Sequence, residues 1–205
     1  MRSRAILIAI IVVLAAAASA FAERVSIRTA DGYLFIQNGE KLSFACEVKG
    51  KDIKPNTDLG NPGYDVDGHV IQLLFVVNAN FDPSGKTEAG KLLALHRDWE
   101  VDYLKSVFGP DVAPKSETVK LADRDVLFWN FNRPKFTTDF DRDAFATTLL
   151  ERDIFGVSTP VAVGEELSAA KERLLAVMRT LKTSDKPYDI QAIAAAIKKG
   201  ETPKL

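Results

Sequence analysis

The chain has 205 residues, 27 lysines and arginines against 28 aspartates and glutamates, and a formal net charge of −1. That balance excludes the basic footprint of a nucleic-acid binder. A single cysteine, Cys46, excludes an internal disulfide, so the fold must rest on its own apolar core.

The first stretch, "MRSRAILIAIIVVLAAAASAFA", gives an address. Arg2 and Arg4 precede an apolar run from Ala5 to Ala18, and two A-x-A exits follow at Ala18-Ser19-Ala20 and Ala20-Phe21-Ala22. A charged start, a short apolar centre and small exit residues form a secretory signal peptide. Residues 1–22 are therefore expected to be removed, leaving an exported protein, periplasmic or secreted. No cysteine follows the apolar run to be acylated, and no later run is long enough to span a membrane.

From Val25 the sequence reads as a meander of three strands. Asp31-Gly32 and Asn38-Gly39 supply the turns, and Leu42, Phe44, Cys46 and Val48 alternate with Ser43, Ala45 and Glu47. Lys51 to Gly68, rich in proline, glycine and Asp/Asn, reads as an irregular loop. Val70 to Val77 is apolar on both parities, the mark of a strand covered on both faces.

The corner that follows, "NANFDPSGKT", spells a phosphate-binding P-loop with Asn80 in place of the first glycine. Asp82 would put a carboxylate beside the phosphates, and Pro83 has no N–H to donate. The stretch is better read as a strand-to-helix corner, with Asp82 capping a helix and Pro83 in its first turn. The helix then runs from about Thr87 to Phe108, with Leu92, Leu95, Trp99, Tyr103 and Val107 in one stripe, and stops at Gly109-Pro110. His96 sits at the edge of that stripe, where a histidine is usually packed and hydrogen-bonded.

Strands are expected at Glu117–Leu121 and Asp125–Phe131, then a polar stretch from Asn132 to Asp143, then one or two strands from Thr147 to Val157. A second long helix runs from about Glu165 to Leu181. Glu165 and Glu166 lie near its positive end. Asp189 caps a short last helix that Gly200 ends.

Few residues carry the pattern of chemistry. Asp139, Asp141 and Asp143 have the spacing that opens an EF-hand loop, but Ala144 and Leu150 stand where glycine and glutamate are required. Only a divalent-metal site of another kind is left to these three, alone or with Asp65 and Asp67. Cys46 with His69 or His96 could make a thiol site, and the pairing with His69 is the candidate for an envelope hydrolase or thiol enzyme. Cys46 shares parity with core positions, which argues for packing. Phe128, Arg133 and Phe136 mark a candidate binding surface, since a cluster of aromatics beside cations suits protein contact. No cofactor is expected.

The order of elements resembles the PsbP-like family. Three stretches carry the resemblance: "YLFIQNGEKLSFACEV", the strand "VIQLLFVV" ahead of "GKLLALHRDWEVDYLKSVFG", and "DIFGVSTPVAVGEELSAAKERLLAVMRTLK". It implies an α+β fold, an α/β/α sandwich of a mainly antiparallel sheet and two long packing helices. It would span residues 23–183, leaving 184–205 as a C-terminal helical extension. Family members include photosystem II extrinsic subunits, a Ran-binding nuclear transport factor and bacterial envelope proteins of the DcrB type. Most are adaptors, so the resemblance implies a non-enzymatic accessory domain that binds an envelope partner.

Overall fold

The computed structural model describes residues 23–134 and 139–205. Eleven strands and three α-helices are described. The meander forms β1 (Glu23–Arg28), β2 (Gly32–Asn38) and β3 (Ser43–Lys49). Its first turn lies one residue earlier than the sequence suggests: Thr29 N–H donates to Gly32 O at 3.0 Å, so Ala30 and Asp31 turn and Gly32 begins the strand. Glycine is required there because a Cβ would lie 2.0 Å from the Val48 carbonyl oxygen.

The stretch expected to be an irregular loop holds two short strands, β4 (Ile53–Pro55) and β5 (Gly63–Val66). They pair with each other and then onto β6 (His69–Val76). A 3-10 turn at Asn78–Asn80 leads toward α1 (Ala89–Phe108). Then come β7 (Lys115–Lys120), β8 (Asp125–Asn132), β9 (Phe140–Leu150) and β10 (Asp153–Ala162). The chain ends with α2 (Leu167–Thr180), β11 (Lys182–Ser184) and α3 (Ile190–Lys198).

The strands form two antiparallel sheets. The smaller has the order β1-β2-β3-β11 and the larger β4-β5-β6-β10-β9-β8-β7. The fold is therefore α+β, with helices on both faces of its main sheet. The sequence implied one sheet, whereas the meander forms its own. Its inner face, with Phe35, Phe44, Cys46 and Val48, shares a core with α2 and one face of the large sheet. On the opposite face of the large sheet, Val101 and Leu104 of α1 pack on Leu74, Trp129, Phe131 and Phe145. The outer face of the small sheet, Leu34, Ile36 and Ala45, is covered by Tyr188 and Ile193 of the C-terminal segment. Asn38 anchors that segment: its amide donates to Tyr188 O at 3.0 Å and accepts from Tyr188 N–H at 2.8 Å.

The corner before α1 departs from its expected role. Asp82 does not cap the helix; the residue before α1 is Glu88, which makes no side-chain cap. Asp82 is buried and accepts from Ser84 Oγ (2.9 Å), Thr87 N–H (3.2 Å) and Arg152 Nη2 (3.0 Å). It ties the corner to the β9–β10 turn. Gly85 adopts φ 64°, so the glycine of the P-loop-like spelling serves the turn.

Candidate functional site

The sequence candidates fall in different places, and most are consumed by the fold. Cys46 has no exposed surface, and burial pushes its thiol well above the ordinary range, with Glu47 adding to the effect. The thiolate is the nucleophile, so this environment withholds it. His69 lies at the start of β6 with Nδ1 3.7 Å from Glu165 Oε2, too far for a hydrogen bond. Glu165 is also held by Arg173 and by the Ala162 N–H. Burial pushes the Glu165 carboxyl up. The Arg173 bond, the Ala162 amide and the Arg173 charge outweigh that and hold it below the usual range. His96 is packed, edge-on to Phe81 with ring centroids 5.3 Å apart. Contrary to expectation, neither of its nitrogens has a hydrogen-bond partner among the described residues, and Glu100 Oε1 stands 3.5 Å from Nε2.

The proposed binding surface needs correcting. Phe128 is buried in the core under α2, with Lys171 Nζ 5.6 Å from its ring centroid. The aromatic cluster is not a surface because β8 is covered on both faces. Arg133 is engaged in a two-pronged bond with Asp143 and stacks 5.5 Å from the centre of the Phe140 ring. Phe136 lies outside the described residues.

The metal candidates are on a strand. β9 begins at Phe140, so Asp141 and Asp143 lie within it, while Asp139 precedes it. Asp143 is committed to Arg133, and Asp141 stands 3.6 Å from Arg142 Nε. Among the described residues no group of three or more His, Cys, Asp or Glu is placed to hold a metal ion. Asp67, the other acid of the weaker pair, accepts from the Lys51 and Asp52 amides, and Asp65 from Asn56.

What sequence reasoning missed is a cleft at the seam of the two sheets. It has a volume of about 350 Å³ and is lined by Ser26 of β1, Tyr64 of β5, and Pro55–Thr57 and Leu59–Gly63 from the end of β4 to the start of β5. Tyr64 Oη and Ser26 Oγ are 2.6 Å apart across it, and burial pushes the Tyr64 hydroxyl up to about 12. Arg28 ties the same seam together by donating to Ile53 O at 2.8 Å. Asn61 and Pro62 also line an inner hollow of about 20 Å³ walled by Phe35, Phe44 and Phe75. The Asn61 Nδ2 group is buried without a hydrogen-bond partner among the described residues. The cleft offers amides, hydroxyls and prolines. It suits recognition better than proton transfer, since its lining contains no carboxylate, histidine or lysine. No sequence motif signals it, because it arises where two separately predicted regions meet.

The fold thus defines a layered antiparallel α+β domain with a polar cleft at the seam of its sheets. No family model matches the chain, and no curated protein matches it. It is similar in fold to the solution structure of cyanobacterial PsbP (CyanoP) from Synechocystis sp. PCC 6803. That likeness covers 82% of this chain and 96% of the other, with a TM-score of 0.43 and 7% identity. It is a likeness of fold alone and assigns no residue a role.

Proposed function

We propose that the chain is an exported domain that binds a protein partner in the cell envelope and performs no catalysis of its own. The observation that carries this reading is the fate of the reactive groups. The sole thiol is enclosed, the buried carboxylates Asp82 and Asp143 and the half-buried Glu165 each answer an arginine, and the buried Glu100 stands against the equally enclosed His96. Groups spent on holding the fold are poorly placed to turn over a substrate. Export is supported by the leader-like first 22 residues. No helix among the described residues is long and apolar enough to cross a membrane.

The test joins two measurements on tagged protein expressed from its full sequence. Mass determination of the product in the envelope fraction should give a chain starting just after Ala20 or Ala22. Cross-linking in that fraction should then recover a specific protein. A product that keeps residues 1–22, or recovery of no specific protein beside clean turnover of a small substrate, would sink the reading.

A further inference from the structure

We propose that the open edge of β1 is a docking strand for an extended peptide segment whose residues alternate between apolar and acidic. This rests on the partner-binding reading and specifies the kind of partner it concerns.

The backbone gives the first reason. In an antiparallel ladder, residues alternate between those bonded to the neighbouring strand and those facing away. The Thr29–Gly32 bond fixes the phase, and β1 pairs Ile27 with Leu34, Val25 with Ile36 and Glu23 with Asn38. Arg24, Ser26 and Arg28 therefore turn their N–H and C=O groups away from β2. β1 is the edge of its sheet, and among the described residues no hydrogen bond reaches those outward groups.

The two sides of β1 give the second. Val25 and Ile27 lie half-buried beside Ile190 and Ile197, an apolar shelf left partly uncovered by α3. Ser26 lines the polar cleft on the other side. A strand added to β1 would therefore set alternate side chains on the shelf and in the cleft, which is how strand addition acquires sequence preference.

Charge gives the third. Both cations of β1, Arg24 and Arg28, share the parity of Ser26 and so the cleft side. Both are exposed; Arg28 is tied to Ile53 O and stacks 4.9 Å from the Tyr33 ring centre, whereas the Arg24 side chain has no hydrogen bond or ion pair among the described residues. Acidic residues on the cleft side of the incoming strand complement them.

The other edges are worse hosts. β4 and β11 have three residues each, and β4 ends in Pro55. β7 matches β1 in length, but all of its residues except Val119 are exposed, so it lacks the apolar shelf that flanks β1. β1 has neither proline nor bulge.

The probe is an eight-residue capped peptide of alternating valine and glutamate, titrated into the mature full-length protein. Binding should slow amide hydrogen exchange at Arg24, Ser26 and Arg28, and leave β7 unchanged. Ser26→Pro removes one outward N–H without breaking the β1–β2 ladder and should weaken binding by about tenfold, whereas Ser26→Ala should not. A thermal melt verifies that both variants fold. N-methylation supplies a second arm that needs no protein variant. In antiparallel docking the glutamate N–H groups face β1, so methylating them abolishes binding and methylating the valine N–H groups spares it. No binding at millimolar peptide, protection at β7 instead, or equal binding of both methylated peptides overturns the proposal. If cross-linking recovers a partner while the peptides fail, this inference falls and the partner-binding reading stands. If the peptide binds as described and no partner is recovered, the inference stands and the reading falls.

Discussion

Arg133 and Asp143 form a two-pronged buried ion pair: Arg133 Nε donates to Asp143 Oδ2 and Nη2 to Oδ1, each at 2.6 Å. Both side chains are more than nine-tenths buried. The pair joins the end of β8 to the start of β9, and Arg133 N–H also donates to Asp141 O at 2.7 Å. Either charge alone would be stranded. Asp143→Ala or Arg133→Ala should therefore destabilise the protein by about 3–5 kcal/mol, as for other broken buried pairs. Replacing both with apolar residues of similar size should recover most of the loss. Urea unfolding of the two single variants and the double variant measures this; a loss below about 1 kcal/mol in each single variant would contradict it.

Cys46 should resist chemistry. The native protein should leave it unlabelled by a thiol reagent, and addition of denaturant should release one reactive thiol. Fast labelling of the native protein would restore a thiol-enzyme reading that the enclosed side chain opposes.

Acid should weaken the fold through Asp82 and Glu165. Burial pushes the Asp82 carboxyl up, but bonds from Ser84, Thr87 and Arg152 prevail, so both carboxyls titrate below their ordinary values. A depressed carboxylate stabilises above its unfolded pKa of about 4 and loses that contribution as pH falls through the folded value. Melting temperature should hold steady down to about pH 5 and then drop. The drop should be shallower in Asp82→Asn and in Glu165→Gln, each of which starts from a lower melting temperature. Equal slopes in the variants and the parent would remove these two groups from the account.

The C-terminal segment should act as a cover. Ile193 is its one fully buried helix residue, and Asn38 holds its start at Tyr188. Ile193→Ala should cost about 2 kcal/mol, the low end for such truncations, because Ile190 and Ile197 beside it are only half-buried. Asn38→Ala should increase binding of a hydrophobic dye as Leu34 and Ile36 become uncovered. Unchanged dye binding and an unchanged melt would show that the segment is not load-sharing with the sheet.

The sequence was informative where one signal decides one element. Apolar spacing placed α1 and its stop at Gly109, whose N–H bonds to Lys105 O. The Asp189 cap is present, accepting from Ala192 N–H at 2.9 Å. The sequence was least informative where the answer depends on what lies opposite. Alternation at Phe44 and Cys46 shows that one face is buried but not which sheet covers it, so a second sheet was invisible. An aromatic cluster beside cations made Phe128 look available for contact, since nothing in β8 announces α2 above it. Asp82 preceded a helix-like run and looked like its cap, yet the partner that claims it, Arg152, lies seventy residues away. The cleft at Ser26 and Tyr64 joins β1 to β5 and has no local signature.

The most direct test places a photo-crosslinking residue at Arg24 on the β1 edge, and separately at Glu117 on β7, in protein expressed from its full sequence. In the envelope, the β1 position should yield one discrete adduct that the β7 position does not. No adduct from either position, or the same adducts from both, would contradict a binding domain that works through the β1 edge.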